Sequence, residues 1–301
     1  MAGLLGMLVL GLSGAPGSRA TEQGTPRSLG MGGALRAAAT GASGIFLNPA
    51  GITLARTYAV EAFYDFHVQK NGHYAHSSVV DSVASKWVAA GLYYNLLVMR
   101  PDVVERSNSK TQSLDVAGHE TGITLAVPLG SRFSLGTSVK YQFFKAKAKV
   151  TSEDDTSEIT VDRINNIGLD VGAVVLLYEG LTLGVTGMNL VPQKSTFAPM
   201  SMGMGVAYSY KTYLTAAFDV MLDFTSKDDV VVDYHGGLEG FFAGQYAVRA
   251  GAMHRGLAGG TYVTAGFGYV SPRAGVDVFL VQQVDGGIET RIGFAAKLFV
   301  K

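Results

Sequence analysis

Alternation with a period of two runs through most of this chain and limits what it can fold into. Over Tyr58 to Val68, one face carries Tyr58, Val60, Ala62, Tyr64, Phe66 and Val68; the other carries Ala59, Glu61, Phe63, Asp65 and His67. Only an extended strand sorts residues this way, because successive side chains point to opposite faces. The pattern recurs over Phe133 to Phe143 and over Leu214 to Phe224, where Leu214, Ala216, Phe218, Val220, Leu222 and Phe224 oppose Thr215, Ala217, Asp219, Met221 and Asp223. Counting such segments gives about fourteen strands: 57–69, 73–83, 86–98, 114–127, 133–150, 160–178, 181–190, 201–210, 212–225, 231–242, 245–254, 261–270, 274–284 and 288–300. Most are near or above the roughly ten residues that a tilted strand needs to cross a bilayer.

The connections fall into two classes. Those at Ser131-Arg132, Glu179-Gly180, Lys211 and Ala243-Gly244 are tight, whereas 100–113, 151–159, 191–200 and 226–230 are longer and polar. Short turns at one end and long loops at the other is how outer-membrane barrels are built. The turn near Lys70 to Gly72 is short although it falls among the long ones. A soluble sandwich would fill its exposed face with Lys and Glu; here the less apolar face is mostly Gly, Ser, Thr and Ala. Charged residues are 16% of the chain, against roughly 25% in typical soluble domains. Aromatic residues stand toward strand ends (Tyr58, Trp87, Phe133, Tyr178, Tyr210, Tyr213, Phe224, Tyr246, Tyr262), as the girdles at membrane interfaces require. A lipid-facing sheet must also close, since an open edge leaves unpaired backbone groups in hydrocarbon. The expected fold is all-β: a transmembrane antiparallel β-barrel over residues 57–301, set in the outer membrane among its lipids. In the last segment Ile292, Phe294, Ala296, Leu298 and Val300 alternate toward the end, as in segments read by barrel-assembly machinery, although Phe299 lies on the opposite face.

Two segments precede the barrel. Leu4 to Leu12 is a short apolar run followed by Pro16 and Ser18-Arg19-Ala20, with no basic residue ahead of it. It reads as a secretory signal peptide over 1–20, too short to span a bilayer. Residues 21–56 are Gly- and Ala-rich and do not alternate; they are expected to tuck into the barrel lumen as a plug. They contain Asn48-Pro49-Ala50, a tripeptide of water channels, but after Ala20 there is no apolar run long enough to be a spanning helix. Pro49 instead restricts Asn48 to extended geometry, and the Asn48 side chain is placed to bond nearby backbone and fix a turn before the first strand.

The Met31-Gly32-Gly33-Ala34 segment, a small-residue run and then Asn48-Pro49-Ala50-Gly51 resemble the FadL-like long-chain fatty-acid transporters of the outer membrane and the related PorV-like proteins. In the second half, Val185 to Leu190, Gly237-Leu238-Glu239, Val248 to Gly251 and Gly275-Val276-Asp277 are similar to the PorV-like pattern. The FadL-like resemblance implies passive, plug-gated uptake of hydrophobic small molecules, with Met31, Leu35, Ile45, Phe46 and Leu47 touching the ligand and Asn48 and Pro49 fixing the plug. The PorV-like resemblance implies an alternative: a non-transporting barrel that anchors a secretion or surface-motility assembly in the envelope.

Charges on the lumen face supply a further expectation. Asp219, Glu239, Arg249 and Asp277 all fall opposite Phe218, Leu238, Val248 and Val276, and so point inward. A turn centred on Gly244 sets Glu239 opposite Arg249. An unpaired Arg in a partly dry lumen is costly, so Arg249 is expected to bond Glu239, with Asp219 or Asp277 nearby.

Catalytic and cofactor signals are poor. The chain has no cysteine, which removes thiol nucleophiles and Cys-based zinc sites. His119-Glu120 lacks the second His of a zincin, and His73 and His76 fall on opposite faces of a strand. The acidic run 152–155 lacks the spacing of a calcium loop. Lys plus Arg and Asp plus Glu both number 24, so there is no electrostatic footprint for nucleic acid. No enzyme activity, metal or cofactor is expected; the expected partners are outer-membrane lipid, a hydrophobic small molecule or an envelope assembly.

Overall fold

The computed structural model describes residues 24–100, 105–107, 110–151, 156–192, 195, 197–257 and 259–300. The signal peptide expected over 1–20 and the acidic run 152–155 lie outside them. The strands are β1 (Tyr58–His67), β2 (Gly72–Asp81), β3 (Ala89–Met99), β4 (Glu105–Ser107), β5 (Lys110–Pro128), β6 (Phe133–Thr151), β7 (Thr156–Tyr178) and β8 (Leu181–Met188), followed by β9 (Ser201–Tyr210), β10 (Leu214–Asp223), β11 (Val231–Phe242), β12 (Tyr246–Arg255), β13 (Gly260–Val270), β14 (Ala274–Asp285) and β15 (Thr290–Val300).

Every pairing is antiparallel. Neighbours in sequence pair in turn, β1 pairs with β15, and β3 pairs with β5 past the short β4, which closes the ring. Of the fifteen strands, β4 stands outside the ring and pairs only with the end of β5, which leaves a closed barrel of fourteen. That number and the strand bounds follow the period-two reading closely. The tight turns turn through residues with positive φ, Gly180, Lys211, Ala243 and Gly244 among them. Strands β5, β6 and β7 run 19, 19 and 23 residues and rise past their neighbours at the end that carries the long connections.

The two faces of the wall differ sharply. Val60, Leu92, Ile123, Phe218, Leu238, Val248, Phe294 and Leu298 are exposed on the outside, while Glu61, Asp65, Asp219, Arg249 and Asp277 are buried on the inside. Trp87, Tyr178, Tyr213 and Phe242 stand exposed at the end with the tight turns. Tyr262 corrects the girdle expected from the sequence. It is 1% exposed and shares the inward face with Thr264, beneath the Arg255 guanidinium at 4.5 Å. Alternation along β13 decides its side, and nearness to a strand end does not.

A ring of fourteen strands spaced about 4.8 Å apart and tilted near 40° has a backbone diameter of roughly 28 Å. Eight-stranded barrels are narrow enough for their own side chains to fill, but this one is too wide. Against the inner face lie residues 24–56, which form α1 (Pro26–Gly30), α2 (Ala42–Leu47) and a 3-10 turn at Pro49–Thr53. Thr25 caps α1 by accepting from Ser28 N, and Pro26 occupies the first turn where no donor is missed. Met31, Leu35 and Ile52 are fully buried.

The segment follows the inner wall along a track of glycines. A Cβ on Gly237 or Gly251 would strike the backbone of Met31, one on Gly184 or Gly203 would strike Arg36, and one on Gly136 would strike Pro49 and Ala50. Gly32 and Gly33, at φ 67° and 79°, supply the left-handed turn that brings this backbone against the wall. Many of the 39 glycines are therefore where two backbones meet.

Candidate functional site in the lumen

The wall and the N-terminal segment are joined by a chain of alternating charges. Arg27, on α1, donates to both oxygens of Glu239 at 3.0 and 2.7 Å, and its third nitrogen reaches Thr40 Oγ1. Glu239 also accepts from Arg249 Nε at 2.7 Å, and Arg249 Nη1 donates to Asp277 at 2.6 Å. Asp277 meets Lys297 at 2.9 Å, and Lys297 lies 3.6 Å from Glu61. Three positive and three negative groups thus run from α1 across β11, β12, β14 and β15 to β1. Burial opposes the charge on Arg27, but Glu239 beside it, with Asp277 and Glu61 beyond, more than reverses this and raises its pKa.

Of the four charges singled out by alternation, Glu239, Arg249 and Asp277 come together and Asp219 does not. Asp219 forms a second attachment: its Oδ2 accepts from the backbone N–H of Leu35 and Arg36 at 2.9 and 3.0 Å and from Arg36 Nη1 at 3.1 Å. Nearby, His235 Nδ1 donates to Gly32 O at 2.8 Å. Arg27, Arg36, Lys297 and Glu61 were not reached from the sequence. Lys297 and Glu61 face each other only through the β1–β15 pairing that closes the ring, and Arg27 and Arg36 sit in a segment without periodicity.

Asn48 is a third attachment. Its Oδ1 accepts from Ala50 N at 3.2 Å, which makes the turn expected from Asn48-Pro49. Its Nδ2 reaches Arg36 O and, on β7, Ala173 O, both at 3.0 Å. The residue is extended, at φ −162° and ψ 107°, as the following Pro49 requires.

Above this segment, toward the long-loop end, lies an apolar lining. Met31, Leu35, Phe46 and Leu47 belong to one buried cluster with Phe63, Tyr74, Leu97, Met99, Phe144 and Phe197. Phe197, from the connection between β8 and β9, lies over Phe144 with ring centres 5.7 Å apart. Ile45 belongs to a second cluster with Ile52, Val80 and Tyr93. Residues facing each other across β2, β3, β5 and β6 form a polar row beside this lining: His76, Asn95, Glu120 and Gln142. At the mouth, Asp65 pairs with Arg291, and Lys70 lies 3.0 Å from Glu289. Burial pushes the Glu289 carboxyl up, but His67, 3.7 Å away, and the charges of Lys70, Arg255 and Arg291 hold it well below the usual range. His73 and His76 lie on opposite faces, exposed and buried respectively. Among the described residues no group of three His, Cys, Asp or Glu is placed to hold a metal ion.

The fold is shared with solved channels. The CymD monoaromatic hydrocarbon channel superposes with a TM-score of 0.70 at 16% identity, covering 93% of this chain and 98% of that one. A Pseudomonas aeruginosa FadL homologue gives 0.68 at 11% identity, covering 91% and 98%. A variant of the TodX monoaromatic hydrocarbon channel gives 0.66 at 12%, covering 94% and 98%. At such identities the likeness establishes the fold, and that fold is the FadL-like barrel which the N-terminal motifs resemble. No curated protein matches the sequence. A family model described as "F plasmid transfer operon, TraF, protein" matches residues 29–230, from α1 through β10, and by that match over more than half its length the chain belongs to this family.

Proposed function

We propose that this protein is an outer-membrane channel for small hydrophobic molecules, shut by its N-terminal segment and opened when that segment rearranges. The observation that carries the reading is a segment of the chain packed on the inner face of an over-wide barrel, attached at Glu239, Asp219 and Asn48 by hydrogen bonds and ion pairs. Such contacts can be exchanged without unfolding the wall. The exposed apolar exterior and the ring of Trp87, Tyr178, Tyr213 and Phe242 suit a wall in contact with lipid. In this reading a ligand enters at the mouth, meets the lining of Phe144, Leu97 and Phe197, and then touches Met31, Leu35, Ile45, Phe46 and Leu47 as the segment yields. Passage is passive and calls for no catalysis. Two of the superposed structures are described as monoaromatic hydrocarbon channels, which supports a small apolar ligand over an ion. Proteoliposomes carrying the full protein should take up radiolabelled toluene or dodecanoate faster than empty vesicles, and faster still with Arg27→Met. Equal rates in all three preparations would overturn the proposal.

The family description, taken from a transfer operon, favours a second reading, in which the barrel anchors an envelope assembly. Purification from native membrane in mild detergent, followed by mass spectrometry, separates the two. A stoichiometric protein partner supports anchoring, and a retained apolar small molecule supports transport.

A further inference from the structure

Phe46, on α2, projects into a clasp of three rings from the wall. Its ring centre lies 6.0 Å from Phe63, 4.8 Å from His76 and 6.2 Å from Tyr93. His76 is itself stacked on Phe63 at 4.6 Å, and Tyr74 packs on the same ring at 5.6 Å. All of these side chains are buried, yet His76 Nε2 and the Tyr74 hydroxyl have no hydrogen-bond partner among the described residues. Leaving two such groups unmade costs stability unless something else uses them.

Which hydrogen-bonding role each group has follows from the polar row. Glu120 accepts from Tyr93 Oη at 3.1 Å, Asn95 Nδ2 at 3.3 Å and Gln142 Nε2 at 2.7 Å. The bond to the carboxylate orients the Asn95 amide, so its Oδ1 faces His76 Nδ1, 2.6 Å away. That nitrogen must therefore carry the proton, and Nε2 presents a lone pair. Tyr74, two residues before on the same inward face of β2, offers a free O–H. A ligand oxygen that donates to His76 and accepts from Tyr74 would satisfy both.

We propose that the position of Phe46 is a binding site for a neutral aromatic molecule bearing one hydroxyl, a phenol, and that Phe46 stands in for the ligand's ring. The proposal deepens the channel reading and rests on it for how the ligand arrives. A hydrocarbon fills the clasp but leaves Nε2 and the Tyr74 hydroxyl unmade. A carboxylate brings a second negative charge beside Glu120 and has no proton to offer Nε2. The site therefore ranks phenols above hydrocarbons and anions, and withdrawing Phe46 opens it.

The test is equilibrium binding of radiolabelled 4-methylphenol, toluene and dodecanoate to the full protein in detergent, with folding of each variant checked by its heat-modifiable band. Phe46→Ala should bind 4-methylphenol about tenfold more tightly than the intact protein, with a smaller gain for toluene and none for dodecanoate, one hydrogen bond being worth about a factor of ten. Adding Tyr74→Phe, which disturbs no other bond, or His76→Phe should bring 4-methylphenol down to the level of toluene. If Phe46→Ala folds and gains nothing, or gains equally for all three probes, the assignment is wrong. It is also wrong if Tyr74→Phe and His76→Phe both leave the preference intact. Proteoliposome uptake separates this from the channel reading. Passage of toluene without phenol preference sinks only the site, whereas selective binding by Phe46→Ala without any uptake sinks only the channel.

Discussion

Asn48 holds three pieces of chain with one amide, and Gly172 is the price of its position: any Cβ there would overlap Asn48 Oδ1. Asn48→Ala removes the bonds to Ala50, Arg36 and Ala173 and should destabilise the segment by about 2–3 kcal/mol. Gly172→Ala should cost a similar amount through overlap. The double variant should cost less than the two added, because removing the amide makes room for the methyl group. Hydrogen exchange over residues 24–56 reads all three, and strict additivity would show that the two do not share a contact. Two arginines give a contrast. Arg249→Met strips one partner from each of Glu239 and Asp277, which keep Arg27 and Lys297, and should destabilise the wall by about 1–3 kcal/mol, read as a lower thermal midpoint of the folded band. Arg27→Met leaves Glu239 paired with Arg249, so the wall should keep its midpoint while exchange over 24–56 rises. Alternation placed Glu239, Arg249 and Asp277 inward because each lies within a long strand. Arg27 was invisible because its partner is 212 residues away and its own segment has no period.

At the scale of elements, strands and the N-terminal segment obey different rules. A strand's side is set by parity, so β1, β6 and β10 could be sorted residue by residue, and Tyr262 could have been placed by parity as well. The segment 24–56 is capped by side chains at Thr25 and Asn48 but has no amphipathic face, and its short helices have five and six residues, too short to persist without the wall around them. Its course is fitted to glycines on β6, β8, β9, β11 and β12. Deleting Thr25 to Leu54 should leave a barrel that conducts small ions in planar bilayers, since among the described residues no other segment of that length packs against the inner face of the wall. A deletion variant that folds and stays closed would assign the closure to other residues.

For the molecule as a whole, the closed ring is the source of rigidity. Every strand of the barrel has two antiparallel neighbours, so backbone groups are satisfied internally whatever surrounds the wall. The folded protein should keep its compact mobility in SDS at room temperature and shift only on boiling. Circular dichroism should show strand with little helix. A protein that unfolds in cold SDS, or that partitions to the soluble periplasm, would contradict the proposal that the wall faces lipid. Residues 24–56 are bonded to β7, β10 and β11 and packed on glycines of the wall, so the segment and the barrel are expected to fold as one cooperative unit. A single calorimetric transition would show this; two separate transitions would not fit.

What could be read along the chain was whatever repeats within a strand: the number of strands, their bounds, the alternation of faces and the inward charges of β11, β12 and β14. Those properties depend on neighbours two residues apart, and a one-dimensional string records them fully. What needed the folded molecule was every relation across the lumen. Asp219 meets Arg36 and Arg27 meets Glu239 because a ring of fourteen strands is too wide to fill itself. Phe46 meets His76 for the same reason: residues 24–56 had to be placed inside, and the register of ring closure decided which side chains they would face.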